Sequence, residues 1–240
     1  MEDFSVVGKS MPLMDGVEKV TGEGMYGVDA KLPGMIQGRV LRSPYPHAKI
    51  LRIETSEAEK LPGVYAVVTA KDMPDRRVGM SLKDEYVFAK EKVRYVGEAV
   101  AAVAAVDVET ADEALQAIRV DYEELKPVFD TLEAMQDGAP VLHEDLGRYE
   151  QSSYQIRFMR PVAGSNVASH IKVRTGDIVK GFQEAAATVE NTFRCHRIHH
   201  CYMEPHAVLA DYKKDKTTIW TNGQRTFDIA VLIAGLLRCR

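Results

Sequence analysis

Four short stretches carry residue types that do chemistry, and each has a plainer reading beside it. Cys195-His196-Arg197-Ile198-His199-His200-Cys201 gathers thiols and imidazoles, the usual ligands of zinc. Its spacing matches no finger or knuckle, and no second ligand pair stands at a familiar distance. As a strand it would turn Cys195, Arg197, His199 and Cys201 to one face, where Arg197 repels a cation. A packed strand end or a subunit contact accounts for the same residues, and no metal is assigned to them. Glu204-Pro205-His206 sets a carboxylate beside an imidazole, an acid–base pair by type or a salt-bridged turn. Gly8-Lys9-Ser10 matches the end of a phosphate-binding loop, but Asp3 stands where that loop needs a glycine. Gln224 follows a strand pattern at 217–221 and stands just before a helix that starts near Thr226. Gly223 beside it permits close backbone approach. A helix N-terminus offers N–H groups and partial positive charge to an anion, and a glutamine amide both donates and accepts. On position alone, a helix-capping turn is the favoured explanation.

The elements around these residues fall into two groups. Residues 36–42, 47–54 (Ala48, Ile50 and Ile53 inward) and 64–69 read as strands from alternation and β-branched content. Ser56 is placed to cap a short helix running to Lys60, which Pro62-Gly63 ends. Val96–Val106 is the most apolar stretch and reads as a buried strand. Ala111, Ala114, Leu115 and Ile118 share one face of a helix, and 120–123 returns to strand. This strand and helix order predicts an α+β domain over 20–130, after an extended segment at 1–19. Residues 131–164, with Gly138, Pro140, Gly147, Pro161 and Gly164, read as a linker. Over 165–240 the patterns predict strands at 165–174, 188–194, 206–212 and 217–221. They also predict a helix capped by Asp177 and running to Ala187, with Val179, Phe182 and Ala186 on one face. The last helix is expected to carry Phe227, Ala230, Val231, Ala234 and Leu237 inward.

Composition narrows the classes. Hydrophobic residues are 45% and charged residues 28% of the 240, which excludes a disordered or collagen-like chain. The formal charge of -4 gives no net attraction to nucleic acid or anionic lipid. Cys195, Cys201 and Cys239 make an odd, sparse set, which argues for a reducing compartment over a disulfide framework. Neither a secretory h-region nor an apolar run of ~20 residues is visible, so the expectation is a cytoplasmic chain with no membrane partner.

Several motifs in a fixed order resemble one family. GRVLRSPYPHAKI (38–50), LPGVYAVVTAKDMP (61–74) and VRYVGEAVAAVAAVDVETADEALQAIRVDYEELKPVFD (93–130) are similar to the hammerhead domain of the xanthine dehydrogenase and aldehyde oxidase family. VGKSMPLMDGVEKVTGEGMYGVD (7–29) fits as well, with Leu13-Met14 where the pattern usually carries an arginine. HHCYMEPHAVLADY (199–212) and IWTNGQRTF (219–227) resemble the opening of the family's molybdenum-cofactor domain. The resemblance implies a hammerhead-type α/β domain over 20–130, a linker at 131–164, and the start of a molybdenum-cofactor-binding α+β domain at 165–240.

By the same resemblance, the chain is a component of an enzyme that hydroxylates an aldehyde or an N-heterocyclic carbon with oxygen from water. Its cofactor would be molybdenum–molybdopterin, with iron–sulfur clusters and FAD on partner subunits. Gln224 matches the family glutamine that hydrogen-bonds the oxo group of the molybdenum centre. The family's Gly-rich loop and its distant catalytic glutamate have no counterpart in these 240 residues, so no catalytic residue is assigned. The expected partners are therefore the remaining cofactor-binding chain, an iron–sulfur subunit, a FAD subunit and a small-molecule substrate, with no nucleic acid. A non-catalytic scaffold that keeps only the family fold is the alternative.

Overall fold

The computed structural model describes residues 4–151, 160–213 and 215–237. It divides into two units, Met1–Gly34 with Asn191–Ile229 and Met35–Glu190 with Ala230–Arg240. In chain order the elements are α1 (Gly16–Thr21), a 3-10 turn (Gly27–Asp29), β1 (Gln37–Arg42), β2 (Ala48–Glu54), α2 (Ser56–Glu59), β3 (Val64–Thr69), β4 (Lys92–Val93) and β5 (Ala99–Ala105). There follow α3 (Val108–Ala117), β6 (Arg119–Glu124), α4 (Thr131–Ala134), a 3-10 turn (Leu146–Arg148), α5 (Ile178–Glu184), β7 (Val208–Tyr212), β8 (Thr217–Thr221) and α6 (Thr226–Leu237).

In the larger unit two three-stranded sheets interleave along the chain, in the orders β1-β5-β3 and β4-β2-β6. Every pairing is antiparallel. β5 is central, and its Val100, Ala101, Val103 and Ala105 are almost wholly buried. Its many alanines leave room for α3 to lie close, through the fully buried Ala111 and Ala114. Asp107 starts α3 by accepting the Thr110 N–H at 2.8 Å. A bulge between Ile50 and Arg52 breaks the alternation of β2, so its burial follows a strict period of two only at the start.

The stretch after β6, expected as a linker, is tied down where it is described. Asp130 caps α4 through the N–H groups of Leu132 and Glu133. Asn166 donates to the carbonyls of Ala134 and Pro140, at 3.1 and 2.9 Å, and accepts from Leu142 N–H at 2.9 Å. Lys92, only 8% exposed, reaches Glu144 at 2.5 Å, and Arg94 Nε donates to Leu142 O at 3.0 Å. Arg77 lies between the rings of Tyr86 and Tyr149, 4.5 and 4.6 Å from their centres. It donates to Asp84 O at 3.2 Å and to the Tyr149 hydroxyl at 3.3 Å. His143 Nδ1 stands 3.0 Å from that hydroxyl. Burial, helped by the Arg94 charge, holds the His143 imidazole down at about 4. Arg77 Nη1 donates to the Tyr149 hydroxyl, which shares a hydrogen bond with the His143 ring.

Several expected elements differ. α2 begins at Ser56 itself, and Ser56 makes no cap; Thr55 precedes the helix and bonds Glu59 at 2.6 Å. The apolar run at 96–106 forms strand only from Ala99, because residues 95–98 make a turn that returns Gly97 N–H to Ser43 O. No strand forms at 165–174 or 188–194, whose alternating apolar residues Val173, Val189 and Phe193 are exposed by 84–86%. Alternation supplies a face but not a partner strand, and the backbone bonds of Val162 N–H to Val167 O and His170 N–H to Arg160 O do not extend into a ladder. α5 is capped by Asp177 as expected, but it ends at Glu184, and Val179 and Phe182 face solvent. In α6 the expected inward residues Phe227, Val231 and Leu237 are exposed, while Ile229, Leu232, Ile233 and Leu236 are half-buried. A helix apolar on all sides does not announce which side faces in.

Candidate functional site

The Gln224 turn lies at the open end of the β7–β8 hairpin, within the smaller unit. The ladder runs from Tyr212 opposite Thr217 to Val208 opposite Thr221. Beyond Val208 backbone pairing cannot continue far, because Pro205 has no N–H to give. The Asn222 side chain takes over. Its Oδ1 accepts the Ala207 N–H at 3.3 Å, and its Nδ2 donates to Pro205 O at 3.1 Å. One amide thus satisfies two backbone groups and closes the hairpin mouth.

The chain then turns sharply into α6. A Cβ built on Gly223 would lie 2.7 Å from Ile229 Cδ1, so the helix's own side chain folds back over the glycine and would have to shift for a larger residue. The first described helical bond is Ile229 N–H to Arg225 O at 3.0 Å. Arg225 faces Asp228 at 3.8 Å, in the first turn. Gln224 sits in this turn with its side chain exposed, and among the described residues none hydrogen-bonds its amide.

The leading segment packs at the same hairpin mouth. Glu204 Oε1 accepts the Gly27 N–H at 3.4 Å. A Cβ on Gly27 would approach Ala207 O to 3.5 Å, ordinary contact distance. Tyr26 and Asp29 cap the 3-10 turn reciprocally, with Tyr26 N–H to Asp29 Oδ2 at 3.1 Å. Together Met25, Tyr26, Glu204, Trp220, Asn222 and Gly223 line an open cleft of about 620 Å³. Gly223 gives it a Cβ-free turn, and the exposed Gln224 carboxamide and the start of a twelve-residue helix follow directly in the chain. That arrangement suits a ligand with acceptor oxygens and negative charge.

The other sequence candidates come out differently. Glu204 and His206 do not pair: Glu204 holds Gly27, and the His206 ring packs on Tyr202 at 4.8 Å. Cys195–Cys201 is irregular instead of strand, so its residues do not sort onto two faces. Cys201 takes φ +48°, its N–H donates to His199 Nδ1 at 3.0 Å, and its Sγ lies 3.4 Å from the same nitrogen. Among the described residues, no three His, Cys, Asp or Glu side chains converge as metal ligands. Gly8-Lys9-Ser10 lies in a turn closed by Lys9 N–H to Val6 O, with no strand among the described residues that lead into it. Asn222 was not among the sequence candidates; an asparagine at a strand end before glycine is the signal that marks it.

Known proteins are similar to this chain in sequence and in fold. The a/b hammerhead domain of aldehyde oxidase and xanthine dehydrogenase matches residues 21–126, and the molybdopterin cofactor-binding domain matches 159–240. The chain is 40% identical over 197 residues to a probable xanthine dehydrogenase subunit of Bacillus subtilis, covering 82% of this chain and 24% of that protein. It is 32% identical over 215 residues to the nicotinate dehydrogenase large molybdopterin subunit of Eubacterium barkeri, covering 89% and 46%. The crystal structure of quinoline 2-oxidoreductase from Pseudomonas putida 86 superposes with a TM-score of 0.78 at 28% identity, over 97% of this chain and 29% of that one. The chain therefore spans between about a quarter and half of the length of these curated relatives. No helix among the described residues is long and apolar enough to cross a membrane. Hammerhead sheets, cofactor-domain hairpin and matching sequence models agree: the chain belongs to the xanthine dehydrogenase and aldehyde oxidase family, carrying its hammerhead domain and the opening of its molybdopterin-binding domain.

Proposed function

We propose that this chain is a component of a cytoplasmic molybdenum hydroxylase. The enzyme oxidises an aldehyde or an N-heterocyclic carbon with oxygen from water, and it needs further chains to do so. Those are the rest of the cofactor-binding chain, an iron–sulfur subunit and a FAD subunit. The partition proposed is 1–19 leading segment, 20–130 hammerhead, 131–164 connection and 165–240 cofactor-domain opening. The observation that carries the reading is the exposed Gln224 amide, which no described residue engages, on the turn that opens α6.

The turn fits the cofactor that the family implies. Molybdenum–molybdopterin is anionic and rich in acceptor oxygens, and it meets here a donor amide, a position without Cβ and a helix N-terminus. When bound, that cofactor supplies the oxygen-transfer and two-electron chemistry. This chain's part is orientation. Gln224 would donate its amide N–H to a cofactor oxygen, from a backbone position that the turn sets. A donor fixed before reaction costs no reorganisation when charge develops. Glu204 ties the leading segment to the hairpin mouth, since its carboxylate accepts from Gly27 N–H.

Native mass spectrometry of the chain drawn gently from its source, with molybdenum read in the same species, tests the reading. The expected result is a larger assembly carrying the cofactor. A lone 26.7 kDa species, or a metal-free complex, overturns it in favour of a scaffold that keeps only the fold.

A further inference from the structure

We infer that Asn222 is the residue that positions Gln224, by closing the mouth of the β7–β8 hairpin with its side chain where the backbone cannot. This deepens the proposed role of Gln224 and rests on it.

The argument begins with hydrogen-bond accounting. At the end of the ladder the Ala207 N–H and the Pro205 carbonyl face the opposing strand with no backbone partner to meet them, because Pro205 interrupts the donor pattern. Asn222 meets both, accepting at 3.3 Å and donating at 3.1 Å. Only a carboxamide of this length offers an acceptor and a donor on one planar group. Aspartate would keep the first bond and set a negative charge against the Pro205 carbonyl. Serine or alanine would reach neither group.

The consequence lies two residues on. The direction in which the chain leaves β8 is fixed by the Asn222 clamp on one side and by the Gly223–Ile229 contact on the other. Gln224 stands between these fixed points with an unbonded side chain, so its place depends on the backbone alone. Glu204 adds a second tie to the same mouth through Gly27. Without Asn222, the hairpin ladder from Val208 to Tyr212 survives, but the turn after Thr221 gains freedom. The Gln224 Cα–Cβ bond then samples a wider range of directions and carries the amide with it.

The experiment uses the assembled, molybdenum-loaded enzyme and compares Gln224→Ala, Asn222→Ala and Asn222→Asp with the unaltered protein. Cofactor content, turnover and the electron paramagnetic resonance spectrum of the one-electron-reduced metal are read together. The expected result for Asn222→Ala is near-normal cofactor content, a spectrum displaced in the same sense as that of Gln224→Ala, and ~10-fold lower turnover. Asn222→Asp should be no better than Asn222→Ala. A merely structural role would lower cofactor content and leave the spectrum of the loaded fraction unchanged. If Gln224→Ala displaces the spectrum and Asn222→Ala does not, the positioning role falls and the Gln224 reading stands. If neither variant displaces it, or if no molybdenum-bearing assembly forms, the Gln224 reading itself falls.

Discussion

Removing Arg77 should loosen the 142–151 segment without unfolding the hammerhead sheets. The guanidinium is sandwiched between Tyr86 and Tyr149 and donates to the Tyr149 hydroxyl and to Asp84 O. Its side chain is 23% exposed, so each ring contact falls in the lower range, ~0.5–1 kcal/mol. The charged hydrogen bonds add about 1 kcal/mol net. Asp145, at 3.9 Å and half exposed, adds nothing worth counting. Arg77→Ala should therefore cost the segment ~2 kcal/mol, which raises its open population about 30-fold. Hydrogen-exchange mass spectrometry reads this directly. Leu146 N–H bonds His143 O, Arg148 N–H bonds Asp145 O and Lys83 N–H bonds Glu150 O. All three should exchange about 30-fold faster, while the β5 amides of Val100 and Val103 keep their protection. Arg77→Lys keeps the charge but loses the planar fork, and should recover less than half of the effect. Unchanged protection at Leu146 and Arg148 in Arg77→Ala would refute the argument that this arginine holds the segment.

Three further outcomes are expected. The same segment should loosen on acidification. The folded His143 titrates near 4 and the unfolded one near 6.5, so its contribution is whole above pH 6.5 and is lost as pH falls to 4. Glu98, pushed up by burial, works in the opposite sense over the acid side of that window. Exchange at 142–151, corrected for intrinsic rate, should rise across the window in the unaltered chain and less so in His143→Gln; a flat profile in the unaltered chain speaks against the His143 contact. Gly79→Ala should cost about 2–3 kcal/mol by urea unfolding, since Gly79 has φ +154° and its Cβ would fall 1.8 Å from Leu82 O. An unshifted midpoint would show that the turn relaxes freely. In the assembled enzyme Gln224→Ala should lower turnover ~10- to 10³-fold with the assembly mass unchanged, and an unchanged rate would remove Gln224 from the site.

The hammerhead strands were legible because β-branched and alternating residues meet their partners within the same hundred residues, as Val103 meets Val67 and Arg39. β4 was not, since two residues carry no period, and the buried Lys92 on it reads as a surface residue until Glu144 is seen beside it. Asp107 and Asp177 announced their helices because capping is local chemistry. Packing is not local. Phe193 and Val189 alternate as a strand would, yet a sheet needs a neighbour that spacing cannot supply. At the site, the Gln224 turn was visible as strand, glycine and helix in succession. Its clamp was hidden, because Asn222 works through residues fifteen and seventeen positions upstream.

The interleaving of the two sheets has a consequence for synthesis. β1, β2 and β3 do not pair with one another; each waits for β4, β5 or β6, the earliest of which begins at Lys92. While the ribosome extends the chain from Gln37 to Lys92, the first three strands therefore have no partner among the named strands. At ~5–20 residues per second that interval lasts several seconds, during which the edges of β1 and β3 are open to any other extended chain. The hammerhead is thus a unit that closes late, β1 and β3 on β5 first and β2 on β6 last, and its nascent form is a natural client for chaperones until β6 emerges.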